Sequence, residues 1–346
     1  MKKTQDINIK NIKSILDPNE IKDALPITET VSQTVYDTRE TIKNILSFQD
    51  NRFLVIMGPC SIHNVTAGME YAEKLIKLKE KYNDKLVICM RVYFEKPRTT
   101  VGWKGLINDP DINGSFNMIK GIQMAREFLL NVNKMGLPAA SEMLDTLVPQ
   151  YIADLISWAS IGARTTESQP HREMASGLSM PIGYKNGTDG SPDVAINAIM
   201  AACHSHNFLG INQSGQLSII ETKGNPWGHV ILRGGSTGPN YNAESVQNCI
   251  NKLKKSNLPT PILIDCSHAN SNKDFKNQNK VLKNTIEQRK NGNNNIIGVM
   301  LESNLKEGNQ PIPKNISDLT YGQSITDQCV SWETSCEMLE NLYSQL

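Results

Sequence analysis

From residue 53 onward the chain alternates short apolar runs with longer amphipathic ones, and it does so eight times. The apolar runs are Phe53–Gly58, Leu86–Val92, Leu137–Ser141, Ser157–Ala163, Met180–Lys185, His229–Arg233, Pro261–Asp265 and Ile296–Glu302. Runs of this length with few polar residues suit strands buried on both faces, which is the habit of parallel sheets. Helical spacing fills the intervals Ala67–Tyr82, Gly114–Met135, Thr146–Trp158, Gln169–Leu178, Ser191–Ala202, Ala243–Asn257 and Phe275–Asn291, with a last helix from about Ile325. Eight strand–helix units predict closure into a (β/α)8 TIM barrel, with an open doubly wound sheet as the alternative. One segment breaks the rhythm. Phe208–Thr222 holds two extended pieces around a Ser-Gly turn, so a β-hairpin is expected at about 207–223, between units five and six.

Residues 1–50 precede the repeat and read as an N-terminal arm, with residues 51–346 forming the barrel. Asp17-Pro18 has the form of a helix start, and Val31, Val35, Ile42, Ile45 and Leu46 lie near helical spacing within Thr30–Phe48. The formal charge is +1 over 346 residues, which excludes any general electrostatic case for a nucleic-acid or membrane partner. No run approaches the roughly 18–20 apolar residues of a membrane span. The polar stretch after Met-Lys-Lys is no signal-peptide core, so a cytoplasmic location is expected. Seven cysteines without a CxxC pair argue against a zinc ribbon or disulfide framework, and Cys89 and Cys266 read as small core residues.

In a barrel the chemistry gathers at the carboxyl ends of the strands. Those ends carry Cys60, Arg91, Glu142, Arg164, Lys185, Arg233, His268 and Glu302, with Asp327 following. They sort into two sets. Cys60, His268, Glu302 and Asp327 are a thiol, an imidazole and two carboxylates, suited to one divalent transition metal without selecting among Mn, Fe, Co and Zn. Arg91, Lys96, Arg98, Arg164, Lys185 and Arg233 form an anion cage, whose mutual repulsion calls for a ligand bringing comparable negative charge. The densest stretch is Arg91–Leu106, where Pro97 forbids helix and basic residues alternate with Thr and Gly. Lys104 within it is left unassigned.

Taken singly, each residue has a duller explanation. Cys60 beside Pro59 is equally a small core residue, and a lone His268 would more often be a hydrogen-bonded interior histidine. Asp327 lies three residues after Ser324, the spacing of a helix cap. His63, His171, His204 and His206 are left as structural or surface residues. Only the joint arrangement lifts the metal reading.

The motifs Gly58-Pro-Cys-Ser-Ile-His63, Arg91–Leu106, Gly162-Ala-Arg-Thr-Thr-Glu-Ser168, Tyr184–Gly190, Arg233-Gly-Gly, Asp265-Cys-Ser-His-Ala-Asn270, Gly308-Asn-Gln and Ser324-Ile-Thr-Asp327 resemble those of the type I 3-deoxy-D-arabino-heptulosonate-7-phosphate (DAHP) synthases. The resemblance runs from the arm to the last helix. It implies a (β/α)8 enzyme that condenses phosphoenolpyruvate with erythrose 4-phosphate and water, releasing DAHP and phosphate at the head of aromatic amino-acid synthesis. It implies a metal held by Cys60, His268, Glu302 and Asp327. Phosphoenolpyruvate falls to Arg91, Lys96, Arg164, Lys185, Arg233 and the Gly162-Ala163 backbone, with a water held by Glu142. Arg98 and Thr99 take the aldehyde's phosphate. On chemical grounds Lys96 is the expected proton donor toward the carbonyl oxygen, with Cys60 and His268 the other catalytic candidates. A non-catalytic anion-sensing barrel and a synthase using arabinose 5-phosphate are the competing readings; the intact metal set and the Lys96-Pro-Arg-Thr-Thr100 pattern speak against them.

The same resemblance implies a homodimer or homotetramer and a feedback site for an aromatic amino acid near Asp6, Gln150, Ser179 and Phe208–Gln213. Gly210, standing where phenylalanine-sensitive members carry Ser, favours tyrosine. Cys329, two residues beyond Asp327, is expected near the metal and able to bridge to Cys60 on oxidation.

Overall fold

A computed structural model describes residues 2–346. Eight parallel strands close into a barrel in the order β1-β10-β9-β8-β5-β4-β3-β2. They are β1 (Phe53–Gly58), β2 (Leu86–Arg91), β3 (Ala139–Glu142), β4 (Trp158–Ile161), β5 (Ile182–Lys185), β8 (Gly228–Leu232), β9 (Ile262–Asp265) and β10 (Ile296–Glu302). The two left out of the barrel, β6 (Asn207–Ile211) and β7 (Leu217–Glu221), pair antiparallel as the expected hairpin between the fifth and sixth units.

The barrel explains why the strands read as apolar throughout: each residue faces one of two dry layers. Leu54, Ile56, Cys89, Ala140, Trp158, Ile231, Leu263 and Met300 cluster inside the barrel, whereas Phe53, Val55, Met57, Ile88 and Met90 join the layer beneath the helices. The helices are α1 (Pro18–Ala24), α2 (Glu29–Leu46), α3 (Val65–Lys81), α4 (Met118–Lys134), α5 (Pro149–Ile152), α6 (Gln169–Gly177), α7 (Asp193–Ala202), α8 (Ala243–Lys255), α9 (Gln278–Lys290) and α10 (Trp332–Gln345). The α2 helix has a distinct task. Its Ile42, Ile45 and Leu46 pack with the interior cluster, closing the amino-terminal end of the barrel and leaving the carboxyl end to the ligand. Asp17 caps α1 through a capping box with Glu20, as the Asp-Pro start predicts.

Two expected helices are redrawn. In place of Thr146–Trp158 there is only the short α5 and a 3-10 turn, Ala153–Leu155. Arg39 from α2 donates to the carbonyls of Ala153 and Ile156, and Arg126 from α4 donates to that of Tyr151, so tertiary partners end the helix early. The last helix starts at Trp332, not Ile325, capped by Ser331. Of the residues before it, 325–327 form bends, and Val330 and Cys329 bridge to Ser303 and Gly308. Asp327 is therefore no helix cap.

Candidate active site

The sequence places a charged or metal-competent group at nearly every strand end, and barrel closure turns those ends toward one cavity of about 350 Å³. Arg91, Lys96, Arg98, Glu142, Gly162, Ala163, Arg164, Lys185, Arg233, His268, Glu302 and Asp327 all contribute to its wall. Cys60 lies just beneath, fully buried.

Arg91 ends β2 inside the barrel mouth. Its guanidinium donates to Glu302 Oε1 at 2.8 Å and to the carbonyls of Pro59 and Cys60, and stacks 3.6 Å from the Tyr93 ring centroid. A buried charge with this many partners is locked in place. Lys96 sits on the loop beyond, its Nζ 3.1 Å from Cys60 Sγ and 3.3 Å from Cys60 O. That loop folds back so that Lys96 N–H donates to Lys104 O, which makes the backbone of Lys104, not its ammonium, the structural element. Gly105 allows the return: at φ +119° its backbone passes so close to Phe94 O that a Cβ would collide.

On the opposite wall Asp265 ends β9, buried, and accepts from Lys185 Nζ at 3.0 Å. His268 Nδ1 lies 2.9 Å from the same carboxylate oxygen and 2.7 Å from Ser267 Oγ. In the neutral ring this puts the proton on Nδ1 and leaves the Nε2 lone pair free, 3.8 Å from Glu302 Oε1 and 4.0 Å from Asp327 Oδ2. Cys60, Glu302 and Asp327 offer ligand atoms within 4.8 Å of one another. His268 stands at the edge of this compact trio. Thiol, imidazole and two carboxylates facing one point, with the imidazole oriented by a carboxylate behind it, fit a divalent transition metal.

Burial pushes the Cys60 thiol up to about 12, with Glu302 and Asp327 adding to it against Lys96 and Arg91. Burial also works against ionisation of Asp327, but Lys96, His268 and Arg91 outweigh it and hold its carboxyl at about 2. Asp327 is 60% exposed at the cavity edge, so its pKa reflects those cations more than enclosure. Asp265 is buried, yet His268 and Lys185 keep it well below the carboxylate range. Two buried polar atoms, Glu142 Oε1 and Arg233 Nε, make no hydrogen bond within the chain. Gly162 lies so tightly under Glu142 that a Cβ would strike Oε1.

Some expected residues stand elsewhere. Thr99 is exposed on the outer loop and does not line the cavity, because Arg98 Nε is tied to Trp103 O at 2.8 Å and the loop tip turns outward. Gln150 and Gly210 line a separate cavity, also about 350 Å³, between α5, α6 and the hairpin. Asp6 lies on the exposed arm and Ser179 on an exposed turn, and neither lines it. A Cβ on Gly210 would meet Ile220 Cγ1 at 2.9 Å, so the missing side chain is first a packing requirement of the hairpin. Cys329 is buried beside Cys60, both as free thiols. Asp265 and Lys273 are the functional candidates that strand-end reading passed over. Asp265 is literally a strand end, masked by the more conspicuous His268; Lys273 carried no signal beyond following that motif.

A closed parallel barrel whose strand ends gather cations around a thiol–imidazole–carboxylate cluster defines a (β/α)8-barrel enzyme for small, multiply anionic substrates. A family model described as the DAHP synthetase I family matches residues 26–340. The chain belongs to that family. It is 49% identical over 340 residues to the tyrosine-sensitive phospho-2-dehydro-3-deoxyheptonate aldolase of Escherichia coli, covering 98% of this chain and 95% of the relative. It is 52% identical to the phenylalanine-sensitive enzyme of the same organism, covering 97% and 96%. A solved phospho-2-dehydro-3-deoxyheptonate aldolase from Francisella tularensis superposes with a TM-score of 0.95 at 50% identity, covering 98% of each chain.

Proposed function

We propose that this chain is a metal-dependent DAHP synthase that joins phosphoenolpyruvate to erythrose 4-phosphate with water and releases phosphate. The observation that carries this reading is the single cavity in which the cation cage and the donor cluster face each other. Two substrates bearing two phosphates and a carboxylate repel strongly in a dry site, and several cations are needed to bring them together. Arg91, Lys96, Arg164, Lys185 and Arg233 hold phosphoenolpyruvate, with Arg233 Nε supplying a buried donor not used within the chain. Arg98 faces the aldehyde's phosphate, while Thr99, next to it in sequence, lies outside the cavity wall.

Cys60, His268, Glu302 and Asp327 would hold one divalent ion, which supplies Lewis-acid polarisation of the aldehyde carbonyl. The carbon–carbon bond forms between C3 of phosphoenolpyruvate and the aldehyde carbon. Lys96 gives a proton toward the aldehyde oxygen as it becomes a hydroxyl. Burial opposes the charged form of Lys96, but Cys60 and Asp327 outweigh it and raise its pKa, so it enters the step protonated. Water held by Glu142 on the cavity wall then adds at C2 and gives up its proton to that carboxylate, and phosphate departs by C–O cleavage.

The cavity lined by Gln150 and Gly210 is assigned to an aromatic amino-acid effector, with tyrosine favoured. The outer hairpin face exposes Leu209, Leu217 and Ile219 to about three-quarters of their surface, which supports association into dimers or tetramers. The primary test is phosphate release from phosphoenolpyruvate, with and without erythrose 4-phosphate, before and after chelation. Release is expected only with both substrates, lost on chelation and restored by a divalent ion. Release that is indifferent to the aldehyde overturns the reading of the reaction, and release that survives complete metal removal overturns the metal requirement.

A further inference from the structure

The cations of the cavity divide by what already engages them. Arg91 is paired with Glu302, Lys185 with Asp265, and Lys96 with the Cys60 sulfur. Arg164 and Arg233 stand near each other on the loops after β4 and β8. Arg98 and Lys273 remain at the mouth, and among the described residues neither makes an ion pair. Their positions around the ring are informative. Arg98 follows β2 and Lys273 follows β9, so they flank β1 and β10, the strands that bring Cys60 and Glu302 to the donor cluster.

The backbone at Lys273 carries a second observation. Asn272 and Lys273 are both left-handed, with φ of 54° and 61°, and His268 before them has φ 56°. Asparagine visits that region readily, whereas lysine there is strained in a way glycine would not be. The conformation is held by Lys273 N–H donating to His268 O at 2.7 Å and Asp274 N–H donating to Ser271 O at 3.0 Å. A strained, pinned turn thus places Lys273, exposed and without an ion-pair partner among the described residues, on the wall of the catalytic cavity, anchored to the same His268 that faces the donor cluster.

We propose that Lys273 is a specificity-determining residue, binding the phosphate of the phosphorylated aldehyde together with Arg98. This assignment rests on the synthase reading above. A terminal phosphate on a short sugar aldehyde carries close to two charges, and one arginine whose Nε is committed to Trp103 O balances only part of it. Lys273 provides the second cation from the opposite flank, so the aldehyde is held by its phosphate with its carbonyl directed between the two.

The test uses the full-length, metal-loaded enzyme and compares Lys273→Asn with Lys273→Arg. Asparagine keeps the left-handed turn and removes the charge; arginine keeps the charge. Lys273→Asn is expected to raise the KM for erythrose 4-phosphate about tenfold or more, the size of one lost charge-assisted contact. The KI of glycerol 3-phosphate, a non-reacting phosphate probe competing with the aldehyde, should rise by a similar factor. The KM for phosphoenolpyruvate should stay within about twofold, and Lys273→Arg should recover most of the loss. Unchanged KM and KI in an active Lys273→Asn enzyme, or an equal rise in both substrates' KM, overturns the assignment of Lys273 alone. A wild-type enzyme that does not consume the two substrates together overturns the synthase reading itself.

Discussion

Lys96 reaches the Sγ and the carbonyl oxygen of Cys60 at once, so a single ammonium adjoins both the donor cluster and the cation cage. Replacing it by methionine preserves the stem and removes the proton. Lys96→Met is expected to lower turnover by at least about a hundredfold while metal content, read by elemental analysis, stays near one ion per chain. Near-normal turnover would sink the proton-donor role, and a parallel loss of metal would reassign Lys96 to site assembly. At this scale much of the site was legible, because a barrel places its chemistry at strand ends and those ends can be found in the sequence. Arg91, Glu142, Lys185 and Glu302 were found in that way. Asp265 was not, because its role is defined by Lys185, distant in sequence, and by the orientation it imposes on His268.

Elements show where local pattern stops deciding. The stretch 146–158 has helical spacing, yet Arg39 and Arg126 claim its carbonyls and α5 stops after one turn. The stretch 325–331 bends and then bridges to Gly308 and Ser303 through Cys329 and Val330, which brings Asp327 back to Cys60. The hairpin is the reverse case, fully announced by its Ser-Gly turn, with Gly215 at φ +68°. Its inner face, with Gln150, is where an aromatic effector is expected to act. Inhibition assays with tyrosine, phenylalanine and tryptophan should show tyrosine the strongest. Stronger inhibition by phenylalanine would overturn that preference, and its structural support has narrowed, since Ile220 already occupies the space beside Gly210.

For the molecule as a whole, pH acts through histidines whose protonation burial opposes. His229 is fully buried, accepts a hydrogen bond from the Trp158 indole, and has its pKa lowered by burial to about 3. Burial likewise lowers His63 to about 4. An unfolded histidine protonates near 6.5, so the unfolded chain takes up protons that the fold refuses. Stability therefore falls as pH drops from about 6.5 toward 3, by about 1.4 kcal/mol per pH unit for a single such histidine. Glu95 acts in the opposite sense: burial, with Asp145 and Glu142 nearby, pushes it up to about 8, so its contribution is lost as pH rises from 4.5 to 8. The difference between proteins isolates the histidine. His229→Gln, which keeps an acceptor for Trp158, should show a weaker loss of unfolding free energy between pH 6.5 and 4 than the wild type in denaturant titrations. Equal slopes would remove His229 from the account.

By itself the sequence determined the eight-fold strand–helix alternation, the hairpin, and the types of chemistry available at the strand ends. These are local properties: apolar periodicity, turn residues and side-chain identity act over neighbouring positions. The tertiary structure decided which of those groups meet. Closing the ring set Cys60 against Asp327, Arg91 against Glu302, and Lys185 and His268 against one carboxylate. It also turned Thr99 outward and brought Lys273 to the mouth. Electrostatic pairing and shape depend on distances between residues far apart along the chain, and only the closed barrel brings them within reach of one another.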